Sequence, residues 1–332
     1  MSSHRRRLSL ALAVTVTAVL GFAHTAPAAT NVRAGVVDVT TNLAYQNAAA
    51  AGTGIVLTAS GEILTNNHVI RGATTIRVTD PSTGRSYAAT AVGYSVANDV
   101  AILQLTGASH LRTVTVGNSS NVKVGQKVTA VGNAGGVGGK PAVAVGKVTG
   151  VGRSIVATDG GGISEQLTNM IRVDAALQPG DSGGPLLNVK GRVIGMNTAG
   201  SSTLAANAAT EGYAIPINRA ISLAKQIVAG RSSATVHIGS TPFIGVSVGP
   251  PVNPSVSGLQ IVQVVPGSPA EQAGLAVGDT ITAVNGQPVT SYDALTSLLL
   301  QFNAGVTLTV DWLDATGTPQ TTTLTTAAGP PQ

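Results

Sequence analysis

Three side chains could together carry out nucleophilic catalysis: His68, Asp99 and Ser182. Ser182 lies in a turn of small residues, Gly180 to Gly184, that lets a substrate carbonyl come close. A serine hydroxyl is a weak nucleophile alone, and the imidazole of His68 would supply the base. The carboxylate of Asp99 would fix the tautomer of that imidazole, while the N–H groups of Gly180 and Ser182 would bind an oxyanion. These residue types predict acyl transfer through a serine nucleophile.

Each of the three motifs also has an ordinary structural explanation. The serine turn could be a plain hairpin, His68 could be a satisfied histidine at a strand end, and Asp99 could belong to a common turn. All three occur in the order His, Asp, Ser, separated by 31 and 83 residues. Their joint occurrence favours a catalytic site over three unrelated turns.

The N-terminus carries much of the positive charge. Three arginines at 5–7 precede an apolar run at 8–23, and a small-residue cleavage signal ends at Ala28. This order predicts a secretory signal peptide over residues 1–28, because the apolar run is too short to span a bilayer. Its removal lowers the net charge from +5 to +2, which argues against nucleic acid as a partner. We therefore expect a secreted or cell-envelope protein.

Metal and nucleotide chemistry are disfavoured. The chain has no cysteine, and beyond the signal peptide its histidines are His68, His110 and His237, which lack metal-ligand spacing. The glycine-rich run 132–141 superficially resembles a phosphate loop, but proline follows its lysine where a serine or threonine is needed. We predict no cofactor and no metal.

Short apolar runs separated by glycine-containing turns predict a mainly β chain. Of the 332 residues, 43% are hydrophobic and 41 are glycine, and strand-like runs recur about every ten residues. Helices are predicted over 216–229 and 292–301. The small, polar segment 230–242 is typical of a flexible linker, and residues 327–332 are expected to fray.

The motifs around the three residues resemble those of the HtrA/DegP family of trypsin-fold serine proteases, especially its secreted actinobacterial members. The match includes Gly52-Thr53-Gly54, the segments around His68 and Asp99, and the runs Asp174–Pro185, Gly195–Thr198 and Gly212–Asn218. It covers about residues 36–228. The resemblance implies a double six-stranded β-barrel with the His68, Asp99 and Ser182 triad in the cleft between the barrels, and a homotrimer.

The same resemblance bears on specificity and activation. It implies a substrate pocket with Ala176 as its floor and with Thr198 and Gly200 on its walls, which predicts cleavage after small or medium aliphatic residues. Asp181 stands where most family members have asparagine. Because the chain has no site for generating a new N-terminus, we expect Asp181 to meet solvent or a basic loop residue.

A second set of motifs resembles a PDZ domain of the bacterial protease type. It consists of Phe243-Ile244-Gly245-Val246 and the runs Pro266–Leu275 and Gly278–Gly286. The resemblance implies that the loop of Phe243, Ile244, Gly245 and Val246 offers N–H groups to a peptide carboxylate. The peptide would then add as a strand beside the helix at 292–301. Simple core packing is the alternative role for Ile244 and Val246, and likewise for Leu295 and Leu299.

Four segments follow: a signal peptide at 1–28, a trypsin-like serine protease domain at 29–229, a linker at 230–242 and a small α/β PDZ domain at 243–328. They imply an endopeptidase for unfolded or misfolded exported proteins that binds peptide C-termini at its PDZ domain. The alternative is a peptide-binding chaperone or scaffold whose protease site is inactive at rest. A cell-surface adhesin is disfavoured by the triad.

Overall fold

Strands outweigh helices in the structure, a computed structural model that describes residues 31–158, 164–198 and 211–332. Contacts join residues 31–332 into one compact unit. The signal peptide predicted at 1–28 lies outside the described residues. Within the three described ranges, no helix combines the length and apolar character needed to cross a bilayer.

Six strands of the N-terminal half close into a first barrel. They are β1 Val36–Leu43, β2 Ala48–Val56, β3 Glu62–Thr65, β4 Thr75–Asp80, β5 Arg85–Ser95 and β6 Val100–Leu105, with the short helix α1 at Asn67–Ile70 between β3 and β4. The antiparallel order is β5-β4-β1-β2-β3-β6, and pairing of β5 with β6 closes the ring. Val37 and Val39, two residues apart on β1, both lie in its core, as the period of a strand requires.

A second six-stranded barrel follows, which confirms the predicted mainly β, double-barrel fold. Its strands are β7 Lys127–Gly132, β8 Ala142–Thr158, β9 Ser164–Val173, β10 Pro185–Asn188, β11 Val193–Thr198 and β12 Gly212–Pro216. They close in the order β7-β8-β9-β12-β11-β10. Val128, Val173 and Ile194 belong to one buried cluster in this half.

Helix α2, Ile217–Val228, begins and ends within one residue of its predicted bounds. Its buried residues recur at helical spacing and are Ile217, Ala220, Ala224 and Ile227. This face shares a core cluster with Ile55 of the first barrel and Met196 of the second. The helix therefore packs against both barrels.

The C-terminal domain has the predicted small α/β architecture. Two short strands precede it, β13 His237–Ile238 and β14 Thr241–Phe243. Its own elements are β15 Val246–Gly249, β16 Leu259–Val264, α3 Pro269–Gln272, β17 Thr280–Val284, β18 Gln287–Pro288, α4 Tyr292–Leu299, β19 Thr307–Leu313, β20 Pro319–Thr325 and β21 Ala327–Gly329. The sheet runs β15-β16-β17-β19-β20, with β18 on β17, so β15 is an edge strand. Ser291 caps α4 by accepting the N–H of Ala294.

The segment 230–242 is more ordered than its linker-like composition predicts. Strand β13 pairs with β5 of the first barrel, and His237 lies opposite Tyr94. The Tyr94 hydroxyl is 2.6 Å from Oγ1 of Thr241, and both groups are buried. Contacts with barrel residues that are distant in the sequence thus hold this segment in place, although its own composition favours flexibility.

The expectation that residues 327–332 fray is wrong. Strand β21 pairs with β14 over three residues, from Thr241 opposite Gly329 to Phe243 opposite Ala327. Beyond β21, Pro331 is buried and its carbonyl accepts a hydrogen bond from the first barrel. Strand pairing and these contacts hold the segment in place.

Candidate active site

His68 and Asp99 follow from two neighbouring strands of the first barrel. Strand β3 pairs with β6, with Thr65 opposite Ala101, so helix α1 after β3 lies beside the turn before β6. His68 is the second residue of α1, whose next residue, Val69, is buried in the barrel core. Asp99 has a φ of 52°, a conformation that aspartate adopts more readily than most residues. The strand register therefore brings the two side chains together.

The carboxylate of Asp99 is 1% exposed and holds His68 at two atoms. Its Oδ1 accepts the backbone N–H of His68 at 3.0 Å, and its Oδ2 lies 2.9 Å from Nδ1 of the ring. Because a carboxylate can only accept, Nδ1 carries the proton and Nε2 is the basic nitrogen. The imidazole side chain is 29% exposed, so a substrate can reach it.

Two further groups fix Asp99. The hydroxyl of Thr198 donates to Oδ2 at 3.2 Å, and the side-chain amide of Asn66 donates to the Asp99 backbone carbonyl at 2.9 Å. The family pattern suggested only a pocket wall for Thr198, and no role for Asn66. No local sequence signal indicates the Thr198 contact, because it joins residues 99 positions apart in different barrels.

Ser182 lies in the turn between β9 and β10, in the second barrel. Its carbonyl accepts the N–H of Thr53 at 2.8 Å, which fastens the serine turn to β2 of the first barrel. A side chain on Gly52 would meet both the Ser182 carbonyl, at 3.2 Å, and the side chain of Val69, at 2.7 Å. The serine turn and the histidine helix thus approach the same part of β2, at Gly52 and Thr53.

Thr53 cross-links the serine turn to its surroundings, a role that the sequence did not reveal. Its Oγ1 donates to the Gly180 carbonyl at 2.6 Å and accepts the Asn133 N–H at 2.8 Å. Its own carbonyl accepts the Thr65 hydroxyl at 2.7 Å. A Cβ on Gly183 would lie 2.0 Å from that carbonyl, so only glycine fits there. The serine turn is therefore held tightly against β2.

The peptide between Pro179 and Gly180 is oriented by the loop after β7. The Pro179 carbonyl accepts the Gly135 N–H at 2.7 Å, and Gly180 has a φ of 96°. In a trans peptide the N–H and the carbonyl point in opposite directions, so the Gly180 N–H points away from Gly135. Among the residues that the structure describes, it has no backbone acceptor. This N–H can therefore donate to a substrate oxygen.

Contrary to the expectation from the sequence, Asp181 is shielded from solvent and meets no basic side chain among the residues that the structure describes. It is 5% exposed, its Oδ2 accepts the Gln178 N–H at 2.9 Å, and its Oδ1 is buried without a partner among the described residues. Burial raises the pKa of Asp181 above its ordinary value, and the bond from Gln178 opposes this rise in part. The carboxylate therefore stabilises the serine turn through one hydrogen bond within it, from Gln178 to Oδ2.

The predicted specificity pocket is described only in part. Ala176 is exposed and directly follows the fully buried Ala175. Thr198 is buried and directs its hydroxyl to Asp99. Gly200 lies outside the described residues, so the pocket walls stay a prediction. In the part of the chain that the structure covers, no group of three or more acidic or histidine side chains is placed to hold a metal ion.

The four residues of the loop predicted to bind a carboxylate, 243–246, lie in different environments. The ring of Phe243 stacks on Tyr45 of the first barrel, with centroids 5.1 Å apart, and Ile244 is buried in the domain core. Gly245 has a φ of 89°, and Val246 begins the edge strand β15. Within the described ranges, the N–H groups of Ile244 and Gly245 have no backbone acceptor. Two donors thus remain for a ligand.

Two domain families match the chain. The trypsin-like peptidase domain matches residues 52–196, and the PDZ domain matches residues 260–311. The first match contains His68, Asp99 and Ser182, and the second lies within the C-terminal domain and includes α3 and α4. Fold and site together define a trypsin-like serine protease that carries a PDZ domain.

Comparison with known proteins gives the family. The chain is 35% identical to the putative serine protease HhoA of Synechocystis over 277 residues, and 32% identical to serine protease PepD of Mycobacterium tuberculosis over 292 residues. The alignments cover 80% and 82% of this chain, and 68% and 60% of those relatives. The solved HtrA-type protease AlgW with tripeptide superposes with a TM-score of 0.52 at 27% identity, covering 90% of this chain and 95% of AlgW. The chain belongs to the HtrA family of serine proteases.

Proposed function

We propose that this protein is an endopeptidase that hydrolyses peptide bonds of unfolded or misfolded exported proteins. The observation that carries the proposal is the double contact of Asp99 with His68, which makes Nε2 the basic nitrogen of the ring. Serine proteases of this class require that tautomer. The export of the protein would depend on the signal peptide at 1–28.

In the proposed reaction, Oγ of Ser182 attacks the substrate carbonyl while Nε2 of His68 takes the hydroxyl proton. Asp99 stabilises the imidazolium that forms, and Thr198 and Asn66 hold Asp99 in place. The N–H groups of Gly180 and Ser182 bind the oxyanion of the tetrahedral intermediate. His68 then gives its proton to the leaving amine, and water hydrolyses the acyl-enzyme by the reverse roles.

The proposed specificity is for small or medium aliphatic side chains such as Val, Ala and Leu before the cut bond. Ala176 would form the pocket floor, with Thr198 and Gly200 on the walls, so no charge would complement Lys or Arg. Burial of one aliphatic side chain contributes about 1.5–3 kcal/mol, which gives modest selectivity. Mapping the cleavage sites in a denatured protein tests this, and a majority of cuts after Lys or Arg would contradict it.

The PDZ domain is proposed to bind the C-termini of peptides. The free edge of β15 can take an added strand, and a cavity of about 540 Å³ lies between its end and the start of α4, at Tyr292. The N–H groups of Ile244 and Gly245 would hold the carboxylate. Calorimetric titration of the mature protein with a hydrophobic peptide should show binding that is lost when the peptide C-terminus is amidated.

The proposed assembly is a homotrimer, as the family resemblance suggests. Light scattering coupled to gel filtration of the mature protein measures this directly. A mass of three chains supports the proposal, and a monomer across the micromolar range contradicts it.

Hydrolysis of casein by the mature protein tests the proposed activity. The wild type should produce peptides, and Ser182→Ala should lower the rate by several orders of magnitude without changing the thermal unfolding temperature. Equal rates for both would refute the assignment of Ser182. If the wild type instead left casein intact while suppressing its aggregation, the chaperone alternative would replace the protease.

A further inference from the structure

Helix α1, which carries His68, depends on contacts from outside itself. It has only four residues, and its N-cap, Asn66, makes no side-chain hydrogen bond to the helix. A single helical turn is unstable on its own in water. Its neighbours must therefore determine where His68 lies, and Asp99 does so at one place through the His68 N–H.

Two further hydrogen bonds reach this helix from the C-terminal segment, residues 327–332. The side-chain amide of Asn67 donates to the backbone oxygen of Gln332 at 2.9 Å. The N–H of Gly72, just after the helix, donates to the carbonyl of Pro331 at 2.7 Å. One contact lies directly before His68 and the other lies four residues after it, so together they bracket the catalytic residue.

The contact at Asn67 satisfies a polar side chain that is fully buried. The residue is 0% exposed, and its Oδ1 has no hydrogen-bond partner in the described residues. Its bond to Gln332 is therefore the one side-chain hydrogen bond found for this amide within those residues. Without it, the whole amide would be buried and unsatisfied, which favours a shift of α1 toward solvent.

The C-terminal segment is itself firmly held. Strand β21 pairs with β14, and the Phe243 side chain fills the space that a Cβ on Gly329 would occupy. The Tyr292 hydroxyl donates to Oε1 of Gln332 at 3.3 Å, and the Tyr94 hydroxyl is 2.6 Å from Oγ1 of Thr241 at the start of β14. Burial raises the pKa of Tyr94 to about 12, so its hydroxyl stays protonated at physiological pH. The segment is thus anchored well enough to support another element.

We propose that residues 331–332 of the C-terminal segment are positioning residues for His68, acting through Asn67 and Gly72. The inference rests on the proposed proteolytic function. It assigns a role in that function to residues that follow the sheet of the PDZ domain. Loss of the two contacts would let α1 move relative to Asp99 and Ser182. A displacement of about 1 Å at a reacting group can lower a rate by roughly 100-fold.

A shortened chain and a point variant test the proposal in the mature protein. A chain that ends at Pro330 keeps the β14–β21 pairing and loses both contacts, whereas Asn67→Ala loses one. With a short chromogenic peptide, each should lower kcat by about tenfold or more and leave KM within about twofold. Adding Asn67→Ala to the shortened chain should lower kcat little further, because that chain has already lost the Asn67 contact. Asn121→Ala, at an exposed site, is the control and should match the wild type.

Hydrogen–deuterium exchange makes the test independent of turnover. The chain that ends at Pro330 should exchange faster than the wild type at residues 66–72, and no faster in β15–β20. Unchanged exchange at 66–72, or an unchanged kcat, would overturn the positioning role. A wild type without Ser182-dependent turnover would instead refute the proposed function, while the exchange result would still decide whether the segment supports α1.

Discussion

The hydroxyl of Thr53 lies 2.6 Å from the carbonyl of Gly180, although the two residues are 127 positions apart and belong to different barrels. The hydroxyl oxygen of Thr53 also accepts the N–H of Asn133 at 2.8 Å. One buried side chain therefore ties the serine turn and the loop after β7 to the first barrel. The proposed catalytic residues come from both barrels, so we expect cross-links of this kind to hold the two parts of the candidate site together.

Thr53→Val should lower kcat by about 10- to 100-fold. Valine keeps the shape of the side chain but leaves the Gly180 carbonyl and the Asn133 N–H buried without this partner, which costs about 1–3 kcal/mol for each group. Steady-state kinetics with a peptide substrate measure the effect. Thr40→Val, at an exposed position of β1, is the matched control. If both variants behaved alike, the cross-link would be irrelevant to catalysis.

Asp99→Asn and Thr198→Val should both impair catalysis, to different degrees. Asparagine can present a donor to Nδ1 of His68 and favour the wrong tautomer, so we expect a loss of about 10⁴-fold in kcat. Valine at 198 removes one hydrogen bond to a carboxylate, worth about 1.5–3 kcal/mol, so its loss should be about 10- to 100-fold. Active-site titration beside kcat separates slow catalysis from a smaller active fraction. A greater loss in Thr198→Val than in Asp99→Asn would contradict the assigned roles.

Gly183→Ala and Gly125→Ala separate backbone strain from steric exclusion. Both glycines have a φ of 86°, but a Cβ at 183 would lie 2.0 Å from the Thr53 carbonyl, whereas a Cβ at 125 meets nothing within 4 Å. The left-handed conformation alone costs alanine about 1–2 kcal/mol. Urea unfolding should show about that loss for Gly125→Ala and a clearly larger one for Gly183→Ala. Equal losses would mean that the serine turn can move away from β2.

Asp181→Asn should change the pH dependence of stability. Since burial raises the pKa of Asp181, the native state binds the proton more tightly than the unfolded chain does. The ionised carboxylate therefore penalises the native state above the raised pKa, and this penalty fades as pH falls toward 3.8. The free energy of unfolding of Asp181→Asn, relative to the wild type, should be highest near pH 7.5 and decrease toward pH 4.

Asp314→Asn is the control of opposite sign for that measurement. Hydrogen bonds from Thr316 and Thr318 lower the pKa of the Asp314 carboxylate. Its stabilising effect is thus present above pH 3.8 and is lost as pH falls through the lowered pKa. In urea unfolding, the stability of Asp314→Asn relative to the wild type should stay constant from pH 7.5 to pH 4 and rise only below pH 3.8, whereas that of Asp181→Asn should fall between pH 7.5 and pH 4. The same trend in both would refute the explanation from burial at Asp181.

The sequence predicted the parts of this site that local pattern determines. Strand period and glycine turns predicted a mainly β chain, the order of His68, Asp99 and Ser182 predicted the candidate triad, and the family resemblance predicted the double barrel. It did not predict Thr53 or Thr198 as cross-links, because each contact joins residues at least 99 positions apart. Composition also suggested a flexible segment at 230–242, yet Thr241 is fixed by Tyr94, 147 positions away. Contacts between distant segments overrode local propensity there.

Labelling with a fluorophosphonate tests the central claim most directly. The reagent reacts with a serine activated by a base and an oxyanion site, so it reports on the site without a chosen substrate. Intact-mass analysis of the mature wild-type protein should show one adduct per chain, peptide mapping should place it on Ser182, and Ser182→Ala and His68→Ala should show none. An unlabelled wild type, or an adduct that persists in Ser182→Ala, would contradict the account.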